Sequence, residues 1–247
     1  MITFNGHTSD EYGIRFTAAT PLTKPSRKVE KYSVPGRNGD ILMPQKAFSN
    51  VALEYGAVGS KKSSGDVYVQ YGTAESSLTE VVNWLSSSSG YKRLEDDADP
   101  DHFRLAQFTG YGDVQNIKNK FWTAVFEFDS KPQRYLKSGE EAVTIIVAPA
   151  TISNPTQFPA RPLLLVTGRG AAGTVTVNGT VFTISDTSVP VYIDCETMDC
   201  YDGSGNNKNS IVSSSTSEFA TLSPGNNSIG FSGAVSTVQI TPRWWEL

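Results

Sequence analysis

Trp122, Ala124, Phe126 and Phe128 recur at every second position, with Thr123, Glu127 and Asp129 on the alternate ones. A period of two puts the apolar set on one face of a pleated chain, so Phe121 to Phe128 is expected to be a half-buried strand. Segments rich in β-branched and aromatic residues predict further strands at Tyr12 to Phe16, Val29 to Val34, Val51 to Tyr55 and Val67 to Tyr71. The period changes once. Leu78, Val81, Val82 and Leu85 follow one another at i, i+3, i+4 and i+7 and draw an apolar stripe down a helix from about Ala74 to Ser88, with Trp84 beside the stripe. Ser77 and Glu80 have the spacing of a capping box, and Gly90 marks the stop.

Turn signals sit between these elements. In Val34-Pro35-Gly36-Arg37-Asn38-Gly39-Asp40 the Pro-Gly pair fits a type II turn and Asn-Gly a second tight turn, so the segment is expected to project from the fold. Lys61 to Asp66, with Lys61 and Lys62 at its head, reads as a hairpin tip or a mobile excursion.

Beyond residue 139 no helical period of any length appears. Pro162 to Thr167 is an apolar strand, and Thr174 to Ile184 reads as a strand, a two-residue Asn178-Gly179 turn and a return strand. That register turns Val175, Val177, Phe182 and Ile184 one way and Thr174, Thr176 and Thr183 the other. Val191 to Asp194, Ser228 to Phe231 and Ser236 to Thr241 add strands, and the whole predicts an antiparallel β-sandwich.

Charge supports a division at the same place. Residues 1–138 hold 17 Lys and Arg against 16 Asp and Glu, a net of +1, and residues 139–247 hold 4 against 9, a net of −5, which together give −4 over 247 residues. At about 150 residues per domain the length allows one or two. The thinning of charge and the polar stretch Lys137 to Glu141 predict two domains, 1–138 and 139–247. With no basic excess, sequence-specific nucleic-acid binding is not expected. No run approaches the ~18 apolar residues of a membrane span, and the start lacks a signal-peptide pattern, so a protein made and kept inside a cell is expected.

Chemistry-bearing patterns are few. Gly168-Arg169-Gly170-Ala171-Ala172-Gly173 spells a dinucleotide fingerprint, but the chain continues as strand where the fingerprint needs a helix, so the string reads as a strand-connecting loop. Asp97, Asp99 and Asp101 have the alternate spacing of a calcium loop, yet His102 occupies the glycine position and Phe108 the twelfth, leaving a solvated acidic turn. His7 and His102 are the only histidines, and no nucleophile motif accompanies His102 and its neighbouring aspartates. Cys195 and Cys200 read as free thiols, and the sequons at Asn178 and Asn226 as turns. Neither a catalytic set, nor a metal site, nor a cofactor is expected. Trp244 and Trp245 are adjacent, so on a strand they face opposite ways, one into the core and one outward, where it either closes an end of its own domain or stacks on a sugar or a partner.

Five strings in order, Val34-Pro35-Gly36-Arg37-Asn38-Gly39, Ser89-Gly90-Tyr91-Lys92-Arg93-Leu94, Lys131-Pro132-Gln133-Arg134-Tyr135, Ile152-Ser153-Asn154-Pro155 and Pro242-Arg243-Trp244-Trp245, resemble the distal tail protein (Dit) family of long-tailed phages and prophages of Gram-positive bacteria. The resemblance covers essentially the whole chain. It implies an N-terminal β-sandwich with one helix that forms a hexameric ring, and a C-terminal galectin-like β-sandwich. It also implies a structural hub in the virion, made in the host cytoplasm, joining the tail tube protein to the tail fibre or Tal protein and, in some phages, to receptor-binding proteins. It brings no catalytic residues. Pro35, Gly36, Arg37, Asn38 and Gly39, with Lys61 and Lys62, are the candidates for contacts between subunits and with the tail tube, because a cyclic ring needs two different, complementary patches. The alternative is a non-catalytic cell-wall carbohydrate-binding module, although residues 139–247 contain no histidine and no galectin-type sugar pattern.

Overall fold

Trp122, Ala124, Phe126 and Phe128 are all buried, and the residues between them are not, so the alternation is the inward face of a strand. The computed structural model describes residues 1–16, 23–60, 74–118 and 121–247. The chain is mainly β and falls into two compact units, Met1–Arg134 with Leu247, and Tyr135–Glu246.

The first unit contains β1 (Ile2–Phe4), β2 (His7–Thr8), β3 (Ile14–Phe16), β4 (Arg27–Tyr32), β5 (Ile41–Phe48), β6 (Val51–Ser60), α1 (Ala74–Ser86), β7 (Lys92–Asp96), β8 (His102–Ile117) and most of β9 (Phe121–Leu136). The main sheet runs in the order β2-β1-β7-β8-β9-β6-β3. In a flat sheet β1 and β9, three strand spacings apart, would lie about 14 Å from one another. The rings of Phe4 on β1 and Phe128 on β9 instead meet at 5.4 Å, so the sheet folds across its own core as a sandwich does. Among the described residues α1 is the one α-helix, and its buried face is Ala74, Ser77, Val81, Trp84 and Leu85.

Two local expectations are corrected, and one strand is added. The helix starts three residues before Ser77, so Ser77 is not its cap; its buried hydroxyl donates to Ser60 O (3.2 Å) and accepts from Trp122 Nε1 (3.3 Å). Tyr12 belongs to a short 3-10 turn, Ser9–Tyr12, and the strand begins after Gly13, whose φ of 67° ends that turn. The strand β5 has no counterpart in the alternation pattern. The strand expected at Val67 to Tyr71 lies outside the described residues.

The second unit holds β10 (Val143–Ile145), β11 (Ala150–Asn154), β12 (Leu163–Val177), β13 (Thr180–Ile184), β14 (Val191–Asp194), β15 (Asp199–Asp202), β16 (Val212–Ser214), β17 (Gly225–Thr241) and β18 (Trp245–Glu246). β12 and β17 pair along their length through a break in register between Thr167 and Gly173. On one side of the break the order is β10-β17-β12-β14-β15, and on the other β11-β17-β12-β13-β16. The two halves enclose Leu164, Val166, Ile193, Val238 and Ile240 from the first and Val175, Val177, Phe182, Ile184 and Ile229 from the second. The glycine string 168–173 therefore does not connect two strands. It is an excursion within one, pinned where Gly170 N–H donates to Thr187 Oγ1 (3.3 Å) and that hydroxyl donates to Ala171 O (2.8 Å). The Asn178-Gly179 turn forms as expected, with φ of 49° and 88°.

Candidate functional site

β4 and β5 belong to neither sandwich sheet; they pair with each other from Arg27↔Phe48 to Tyr32↔Ile41. All six residues of β4 are exposed. Large apolar side chains are exposed on both strands and next to the turn: Val29, Tyr32, Val34, Ile41, Leu42 at 59% and Met43 at 55%. The turn carries the candidate interface residues. Arg37 N–H donates to Val34 O at 3.1 Å across Pro35 and Gly36, and Gly36 has φ +80°, the type II geometry expected of Pro-Gly. Nothing lies within 4 Å of where a Cβ at Gly36 would stand, so the backbone angle rather than crowding calls for glycine. Gly39 follows at φ +81°.

Polar contacts tie the hairpin together. Tyr32 Oη and Gln45 Nε2 both donate to the Glu30 carboxylate, at 2.8 and 2.7 Å, and that acceptor pushes the Tyr32 hydroxyl pKa up. The Arg27 guanidinium lies 4.8 Å over the Phe48 ring, and Ser49 N–H donates to Ser26 O at 2.9 Å at the base. An isolated two-stranded hairpin is at best marginally stable in water. The register sets Tyr32, Ile41 and Met43 on one face of the hairpin and Val29 and Leu42 on the other, and large apolar side chains exposed in this number have the character of contact surface rather than of a solvated loop. These apolar residues, beside the turn rather than in it, are what the sequence reading missed; the unbroken Ile41-Leu42-Met43 run after the turn was the available signal.

The other candidates separate. Lys61 and Lys62 lie outside the described residues. Trp244 is 6% exposed and belongs to the core of the second unit, so it offers no face for stacking. Trp245 is half-buried, stacks on Phe158 at 4.5 Å and donates its Nε1–H to Pro159 O at 3.0 Å. The acidic turn does not converge on a common centre. Asp97 takes the amino terminus at 2.6 Å, and Asp99 takes His102 Nδ1 at 2.7 Å and Arg134 Nη2 at 2.9 Å. Burial raises the Asp99 pKa, but the contacts with His102 and Arg134 outweigh it and hold the carboxyl below its ordinary value. The cluster ties the turn to β9. His7 pairs with Glu11 at 3.0 Å on a separate surface.

In the sequence Arg243 stands out only within Pro242-Arg243-Trp244-Trp245. It adopts φ +59°, its N–H donates to Gly139 O at 2.8 Å, and its guanidinium grips Asp194 through two bonds of 2.7 and 2.9 Å. Burial raises the Asp194 pKa, but Arg243 and the backbone of Glu196 and Thr197 bring it below the usual carboxylate range.

No family model matches the chain, and no curated protein matches it in sequence. Solved structures do. The Dit (gp 19.1) protein of SPP1, described as a paradigm of the hub adsorption apparatus in phages that infect Gram-positive bacteria, superposes with a TM-score of 0.70 at 12% identity, over 100% of this chain and 98% of that one. The phage p2 baseplate, in its activated conformation with Sr, superposes with a TM-score of 0.51 at 11% identity, over 92% of this chain and 90% of that one. From its first residue to its last, the chain has the fold of the SPP1 Dit protein.

Proposed function

We propose that the chain is a structural component of a phage tail tip, a hub whose six copies close into a ring between the tail tube protein and the tail fibre or Tal protein. The observation that carries this reading is the full-length likeness to the SPP1 hub protein. The β4–β5 hairpin supports it independently, because a heterologous ring contact needs an uncovered patch on each subunit that fits a different patch on the next. In this reading a second copy covers Val29, Tyr32, Leu42 and Met43, and Pro35, Gly36, Arg37, Asn38 and Gly39 reach the neighbouring subunit. Lys61 and Lys62, outside the described residues, are candidates for contact with the tube or the next subunit.

Residues 1–138 form the ring domain, and their net charge of +1 suits a channel that DNA must cross without being held, since phosphate contacts from a basic lumen would retain the genome. Residues 139–247 form an outward, galectin-like domain to which receptor-binding proteins attach in some phages. The protein acts in the virion after synthesis in the host cytoplasm, and its role is assembly rather than catalysis. Electron microscopy of the purified protein tests this reading. Rings with an open centre are expected, and featureless single particles that persist at high concentration and after tail tube protein is added would contradict it.

A further inference from the structure

We propose that β10 is a docking edge to which a different polypeptide adds a β-strand, and that this strand is rich in β-branched residues and carries lysine or arginine at its C-terminal flank. β10 stands at the end of its half-sheet, and among the described residues its strand partner is β17, in the register Val143↔Ile240, Thr144↔Gln239 and Ile145↔Val238. The opposite end of the same half-sheet is covered. There Asp202 N–H donates to Asn206 O at 3.0 Å and Lys208 N–H donates to Cys200 O at 2.7 Å, so residues 206–208 lie along β15.

Edge strands present backbone donors and acceptors to any passing chain, and proteins usually guard them with charge, proline or a bulge. This edge has no such charge. Residues 142–160 contain no Lys, Arg, Asp or Glu. Val143-Thr144-Ile145-Ile146-Val147 is an unbroken β-branched run, with Val143 44%, Ile146 70% and Val147 71% exposed while Ile145 anchors it in the core. The backbone groups of such an edge are matched by another extended backbone, the mode in which strand addition supplies affinity through the main chain and specificity through alternate side chains.

Charge selects the occupant. Glu141 is exposed immediately before the edge. The strand pairs resolved in this sheet are antiparallel, and an antiparallel newcomer brings its C-terminal flank to that carboxylate. A second copy of this edge has no cation to offer there. The occupant is therefore a foreign segment with a basic flank.

The test uses the full chain and a short synthetic peptide of alternating valine and threonine that ends in two lysines. Hydrogen exchange of residues 143–147 is expected to slow at least tenfold at saturating peptide. A peptide ending in two glutamates is expected to bind at least tenfold more weakly. Ile146→Lys is expected to abolish the protection without changing the melting temperature, since Ile146 lies beyond the strand and outside the core. Unchanged exchange with the lysine peptide would overturn the proposal, as would equal binding of the two peptides. Protection that grows with protein concentration in the absence of peptide would assign the edge to a second copy instead.

Discussion

Gly59 on β6 lies directly across the sheet from Trp122 on β9, and a Cβ at Gly59 would stand 2.1 Å from Cζ2 of the indole. The missing side chain is the space in which Trp122 lies, 1% exposed, with its Nε1–H reaching Ser77 of α1. One glycine thus joins the sheet to the helix. Gly59→Ala must displace the ring, and overpacking of this kind costs about 1–3 kcal/mol. Urea unfolding is expected to show that loss. A double mutant with Trp122→Ala is expected to lose less than the sum of the two single changes, because the clash disappears with the ring.

The fork between Arg243 and Asp194 predicts a pH dependence. The folded pKa of Asp194 lies below its ordinary value, so the stabilisation is fully present above the unfolded pKa of about 4 and is lost as pH falls through the folded value. Arg243→Met leaves a carboxylate that is 7% exposed without its counter-charge and is expected to cost about 2 kcal/mol at neutral pH. The same variant should show a smaller stability loss than the parent on acidification below pH of about 4, as read by thermal melts across that range.

Cys195 and Cys200 are 2% and 1% exposed. Burial pushes their thiols up to about 12 and about 11, with Asp194 and Asp199 adding to the effect. At pH 8 almost no thiolate forms, so alkylation of the native protein is expected to be slower than that of the denatured chain by more than about 100-fold. Both thiols should label in denaturant without prior reduction, which mass spectrometry can count.

In the hairpin, Arg37→Ala and Leu42→Lys change exposed side chains that make no contribution to either core. Their effect on monomer stability is expected to stay within about 0.5 kcal/mol. Both are expected to weaken self-assembly, measured as a shift of the association midpoint to higher concentration in analytical ultracentrifugation. Assembly unchanged in both variants would place the subunit contact elsewhere.

What could be read from the sequence was local. The Trp122 to Phe128 alternation, the type II turn at Pro35-Gly36 and the Asn178-Gly179 turn each depend on residues a few positions apart, and each stands as expected. β5 escaped because Ile41-Leu42-Met43 is continuous rather than alternating, and Pro44 reads as a breaker in any strand that is not at an edge. The unity of β12 was hidden by its glycine string, since only the pairing with β17, far along the chain, carries the strand through the excursion. Trp244 lies in the core of the second unit and Trp245 packs against the same core, and the ring that Trp245 stacks on, Phe158, is distant in sequence. The turn of the candidate interface was legible from its Pro-Gly signal. The apolar surface beside it was not, because exposure depends on which sheet a strand fails to join.

The central claim, a ring of six, is tested most directly by the solution mass from light scattering on a sizing column over a range of concentrations. A species of six times 26.7 kDa is the predicted result. A mass of 26.7 kDa at every concentration, unchanged when tail tube protein is added, would contradict it.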